Sequence, residues 1–130
     1  MGNDLYGPGY VYLIQRADGW YKIGRTANLE ERFQHIRWEM GRKHELVLLC
    51  MCRVEHQADA ERMFHRIFQD KRSKRRKYGI GQGVEWFHLD RSDMSKWRKW
   101  ADIIADEVVY TNITLTDKDW RQQIREIADG

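Results

Sequence analysis

The stretch GYVYLIQRADGWYKIGRT, Gly9 to Thr26, decides how this chain folds. Tyr10 to Gln15 is rich in aromatic and β-branched residues and reads as a strand. Gly19 suits a three-residue hairpin loop, Ala17 to Gly19, with glycine in the left-handed position. That loop pairs Arg16 with Trp20, Ile14 with Lys22 and Tyr12 with Gly24. Strand side chains alternate between faces, so Tyr10, Tyr12, Lys22 and Gly24 share one face. A two-residue loop would change the parity and part Tyr12 from Lys22. The turn therefore assembles a polar patch that a plain hairpin does not need.

The next elements follow from spacing. Asn28 can cap a helix, with Glu31 three residues on as a capping box. Leu29, Phe33, Ile36 and Met40 give that helix a buried stripe, with Arg32 and His35 on a neighbouring face. Glu45 to Cys52, ELVLLCMC, is nearly all apolar and fits a strand covered on both faces. A second helix is predicted from about Gln57 to Asp70, with Ala60, Met63, Phe64, Ile67 and Phe68 inward. Glu61 borders that stripe and His65 lies one turn beyond. VEWFHL is a short strand-like piece. DMSKWRKWADIIADE reads as a third helix packing Trp97, Trp100, Ala101 and Ile104. VVYTNITL reads as a further strand, and TDKDWRQQIREIA as a last helix capped by Thr116. The order β-β-α-β-α-α predicts an α+β sandwich, a small antiparallel three-stranded sheet flanked by helices, with a C-terminal β-α extension.

Totals bound the function. A chain of 130 residues, 42% hydrophobic and 33% charged, suits one globular domain. No apolar run approaches the roughly 20 residues of a membrane helix. The first residues lack the basic-then-apolar pattern of a signal peptide, so the expectation is a cytoplasmic protein without a membrane partner. Cys50 and Cys52, two apart in a strand, share a face and read as core cysteines. Net charge is only +3, but residues 41–77 hold eleven basic and five acidic groups, net +6. That third of the chain is a candidate polyanion-binding surface. It ends in the run Lys71, Arg72, Lys74, Arg75, Arg76, Lys77, which suits phosphates without reading sequence. A solvated loop is the alternative.

GYVYLI, WYKIGRT, LEERF, AERMFHRIF and VEWF, in this order, resemble the GIY-YIG nuclease superfamily. More narrowly they resemble its branch named after a reading frame of phage T5. The resemblance spans about Gly9 to Leu89 and extends to the helix ending near Glu107. It implies a nuclease domain over residues 1–107, with 108–130 as a C-terminal extension of the same domain. It implies a hydrolase, a DNA endonuclease that cleaves phosphodiester bonds with one divalent ion, Mg²⁺ or Mn²⁺. By position, Tyr12 matches the first-motif tyrosine and Lys22, Ile23 and Gly24 match the second motif. Arg32 matches the helix arginine and Glu61 the metal-binding glutamate. Lys22 stands where the second motif has a tyrosine, and Tyr21 beside it lies on the opposite strand face. Asn112, in the tail, is not carried over as the family's late asparagine.

The residue types suit those roles. A single carboxylate can hold Mg²⁺, which keeps several waters and takes further ligands from phosphate. Glu61 is that candidate; an exposed glutamate paired with His65 is the alternative. Arg32 offers a planar fork to a phosphate, and no acidic residue stands three or four positions away on its helix. Tyr12 is a candidate to orient or activate water, which needs a cation nearby because a phenol titrates near 10. Lys22 can supply that cation or bind phosphate. Gly24 leaves room for close approach. Arg25, His35 and His65 are candidate phosphate or DNA contacts, with solvated helix histidines as the alternative for the last two.

The expected partner is DNA, with single-stranded or branched forms both open. A homodimer, or a partner protein docked through the tail, is also compatible. The other function class is a non-catalytic nucleic-acid-binding module on the same fold.

Overall fold

The computed structural model describes residues 7–73 and 86–129. Strands β1 (Gly9–Arg16) and β2 (Tyr21–Thr26) form the hairpin, followed by α1 (Leu29–Met40), β3 (Leu46–Val54) and α2 (Gln57–Ile67). A 3-10 turn, Gln69–Lys71, precedes β4 (Trp86–Phe87), α3 (Arg91–Ile104), β5 (Glu107–Thr114) and α4 (Trp120–Asp129).

The hairpin has the register that its turn dictates, with Tyr12 opposite Gly24 and Ile14 opposite Lys22. Gly19 takes a φ of 98°, the left-handed conformation the loop requires. Asn28 accepts from the Glu31 backbone N–H at 3.1 Å and starts α1.

The three-stranded sheet expected from the sequence is corrected to five strands, in the order β4-β2-β1-β3-β5, every pairing antiparallel. Two pairings account for the difference. The two-residue β4 pairs Tyr21 with Phe87 and Lys22 with Trp86, too short a match to leave a periodic signal. The C-terminal β5 pairs with β3, setting Arg53 opposite Glu107 and Cys52 opposite Val108. The tail expected as an extension thus supplies an edge strand and a packed helix.

Helices cover both faces. One core holds Val11, Leu13, Ile23, Cys50 and Cys52 beneath Phe64 and Phe68 of the α2 region and Trp97 of α3. Phe64 and Trp97 stack at 4.3 Å between ring centroids. The other core holds Tyr12, Ile14, Leu46 and Leu48 against Phe33 of α1 and Trp120 of α4. A bulge opposite Leu13/Ile14 inserts Leu49 into β3 and reverses which residues face which layer. Leu46 and Leu48 therefore face α1, whereas Cys50, Cys52 and Val54 face α2. The two cysteines are buried and free, with their Sγ atoms 3.8 Å apart.

Three helical details differ from expectation. The helix α2 stops at Ile67, and Met63, placed in the buried stripe by spacing, is 46% exposed. The helix α4 begins at Trp120, so Thr116 lies in the preceding turn rather than at the cap. The helix α3 begins two residues before the predicted stretch, where Asp90 and Asp93 make a reciprocal capping box. Among the described residues no helix is long and apolar enough to cross a membrane.

Candidate functional site

The end of β2 is where several of the candidate side chains meet. Alternation sends Lys22 and Gly24 to the α1 side and Ile23 and Arg25 to the α2 side. Gly24 has Tyr12 beside it on β1, and a Cβ at Gly24 would overlap the Tyr12 hydroxyl and lie 2.6 Å from Cζ. The absent side chain is what lets the phenol ring lie there. Tyr12 is fully buried, with its ring edge-on to Phe33 at 5.2 Å. Its hydroxyl accepts a 3.0 Å hydrogen bond from Arg32 Nε. Tyr12 thereby fixes the guanidinium plane of Arg32 from behind.

Arg32 and His35 line a cavity of about 260 Å³ together with Arg25, Asn28, Glu31 and Gln57. On the other side of Arg25 lies a second cavity of about 450 Å³. Glu61 and His65 of α2 line it, as do Arg62 and Arg66 on the same helix and Arg72 after it. Arg25 belongs to both walls. Its Nε stands 3.4 Å from Glu61 Oε1, a half-buried ion pair with side chains 26% and 17% exposed. Its Nη1 donates to Gln57 Oε1 at 3.3 Å. Gln57 is itself 1% exposed and donates from Nε2 to the Pro8 carbonyl at 3.1 Å. Arg25 is held by a fixed buried amide on one side and a carboxylate on the other.

His65 is buried, and both ring nitrogens are engaged. Nε2 lies 2.8 Å from the Ile23 carbonyl, and Nδ1 lies 3.0 Å from Arg72 Nη2. A carbonyl can only accept and a guanidinium can only donate. The ring is therefore the neutral tautomer with its proton on Nε2, and its lone pair anchors Arg72 at the rim of the larger cavity.

Other residues singled out in the sequence lie elsewhere. Lys22 is 4% exposed, and its Nζ is 5.3 Å from the centroid of the Trp86 ring. Hairpin parity does put it on the face of Tyr12, but it lines neither cavity. Lys71 turns to the start of α3, within 3.2 Å of both Asp90 and Asp93. Hydrogen bonds to these carboxylates raise the Lys71 pKa above its ordinary value. Arg72 faces the cavity, so adjacent members of the basic run diverge. Lys74, Arg75, Arg76 and Lys77 lie outside the described residues.

Reading the sequence did not single out Gln57, Arg62 or Arg66. The arginines had a usable signal. Residues 58, 62, 65, 66 and 69 flank Glu61 at the spacings that define one face of a helix. Gln57 had none, because its partners Arg25 and Pro8 are distant in the chain.

A single carboxylate on a cavity otherwise rich in arginine suits a cation that arrives with a phosphate. It does not suit a cation held by protein ligands alone. Among the described residues there is no group of three or more His, Cys, Asp or Glu side chains able to hold a metal ion.

The family model of the T5orf172 domain matches residues 9–102, from β1 through nearly all of α3. Searches of the curated proteins and of the solved structures found no match. With most of its length matched, the chain belongs to the T5orf172 domain family, which is related to the GIY-YIG nuclease-like fold.

Proposed function

We propose that the protein is a metal-dependent DNA endonuclease working by a GIY-YIG-type mechanism. The observation that carries this reading is the pairing of two walls across Arg25. One is a lone carboxylate, Glu61, on an arginine-lined cavity; the other is Arg32, fixed from behind by Tyr12. In this reading a phosphodiester spans the two cavities. Arg25 and Arg32 bind its non-bridging oxygens and stabilise the charge that builds there. Glu61 holds Mg²⁺ or Mn²⁺, which supplies charge stabilisation and activation of the attacking water. Arg72, anchored by His65, binds a flanking phosphate. Tyr12 is buried, so it serves through Arg32, holding the fork in the orientation that phosphate requires.

Four arginines line the larger cavity against one glutamate. A divalent cation alone meets net repulsion there, whereas a cation with a phosphate does not. Metal affinity is accordingly weak without nucleic acid.

The test is plasmid relaxation with Mg²⁺ and with Mn²⁺, using the native protein and Glu61→Ala, with a chelator control. The proposal expects metal-dependent nicking by the native protein and none by the variant at unchanged circular dichroism. A second reading, a nucleic-acid-binding module without catalysis, draws on Lys22. The residue in the second-motif tyrosine position is buried against Trp86, away from both cavities. Salt-sensitive DNA retention by both proteins with no nicking under either metal would establish that reading instead.

A further inference from the structure

The outer face of α1 carries Trp38, which is 73% exposed. A large aromatic side chain in water offers a flat apolar face to a partner. Its surroundings identify an occupant. The His35 ring stacks beside it, with centroids 6.3 Å apart and planes within 24°. His35 also lines the smaller cavity with Arg25 and Arg32. Residues 35 and 38 are about one helical turn apart, a rise of roughly 4.5 Å, so the aromatic surface continues outward from the cavity wall. Arg42, exposed in the turn just past the end of α1, adds a further cation near that end of the helix. An apolar surface that begins at a phosphate-sized cationic cavity matches a nucleotide, with an anionic backbone and a flat base.

We propose that Trp38, with His35, is a stacking platform for an unpaired base on the strand whose phosphate lies at Arg25 and Arg32. This rests on the nucleic-acid reading above and names its substrate class: single-stranded or locally unpaired DNA, in preference to closed duplex. Every base has a flat face, so stacking is tolerant of sequence. In a closed duplex those faces are covered by neighbouring bases, and Trp38 has nothing to stack on.

The test is binding in EDTA, followed by fluorescence anisotropy, with the native protein, Trp38→Ala and Trp38→Phe. Three probes are used: an oligothymidylate, an abasic strand with the same number of phosphates, and a blunt duplex. Trp38→Ala is expected to weaken oligothymidylate binding roughly 10-fold or more, within the range for loss of one base–aromatic stack. Trp38→Phe should recover most of that loss, and affinity for the abasic strand and the duplex should stay within about twofold. An equal loss on thymidylate and abasic strands would overturn the proposal, since a purely structural role or a backbone contact predicts that. So would unchanged thymidylate affinity. If the native protein binds none of the three probes, the nucleic-acid reading itself falls, which separates the two failures.

Discussion

Tyr12 and Gly24 face each other across the hairpin, and each constrains what the other position can be. A methyl group at Gly24 would have to displace a fully buried phenol. Gly24→Ala is expected to destabilise the fold by about 1–3 kcal/mol, the usual cost of overpacking a dense core. It should also abolish nicking, because the hydroxyl that orients Arg32 moves with the ring. Thermal melting and plasmid relaxation on the same preparation check both. Tyr12→Phe separates the hydroxyl from the ring. It keeps the packing against Phe33 and removes the acceptor for Arg32 Nε. Its stability should fall by only about 1 kcal/mol, while the cleavage rate falls about a hundredfold from a misaligned arginine. A Tyr12→Phe variant that cleaves at the native rate would exclude a part for the Tyr12 hydroxyl in cleavage. At this scale the sequence was informative where residues are close in the chain or paired by the hairpin. Tyr12, Gly24 and Arg25 follow from one turn. The contacts of Arg25 with Glu61 and Gln57 join β2 to a helix more than thirty residues on, and no local pattern carries them.

The elements divide in the same way. Helices with a strong apolar period were legible: α1 with its Asn28 cap and its span to Met40, α2 and α3 with ends displaced by a few residues, because caps and tertiary contacts set the last turn. The sheet was not legible in full, because β4 is two residues long and β5 finds its partner β3 about sixty residues earlier. The start of α3 offers a test at this scale. The Asp93 backbone N–H, the Ser92 hydroxyl and the Lys71 ammonium hold the Asp90 carboxyl well below the usual carboxylate range. A carboxylate with a depressed folded pKa stabilises the fold above its unfolded pKa, and loses that contribution as pH falls toward the folded value. Asp90→Asn keeps a capping side chain but does not titrate. The native protein should therefore be the more stable of the two near neutral pH. The difference should narrow as pH falls below about 4, and high salt should reduce it because Asp90 is exposed. Urea midpoints of both proteins across pH measure it; a gap that widens on acidification would contradict the assignment.

On the scale of the whole molecule, the matched family segment ends at residue 102, but the fold does not. Ile113, Leu115, Trp120 and Ile124 complete the core beneath α1. Arg125 pairs with Glu30 at 3.0 Å, and Arg121 donates to Gln34 at 2.9 Å, so α4 is tied to the helix that presents Arg32. A chain ended at Asp106 would expose those apolar faces together with the β3 edge. It is expected to lose cooperative thermal unfolding and to bind hydrophobic dyes. A cooperative transition in the truncated chain would instead make the tail a separable appendage. The paired cavities also put the catalytic proposal at this scale, because α1 and α2 come from opposite layers and Arg25, at the end of β2, lines both cavities.

The central claim is that Glu61 serves cleavage rather than DNA binding or folding. Its most direct test is single-turnover cleavage of an end-labelled strand by the native protein and Glu61→Gln in Mn²⁺, with DNA affinity measured on the same samples in EDTA. Glutamine keeps the size and a hydrogen-bonding oxygen but removes the negative charge that strengthens the binding of a divalent cation. Comparable binding, metal-dependent cleavage by the native protein, and a rate at least about a hundredfold lower in the variant are expected. Equal cleavage by both proteins, or binding without cleavage by either, would contradict that claim.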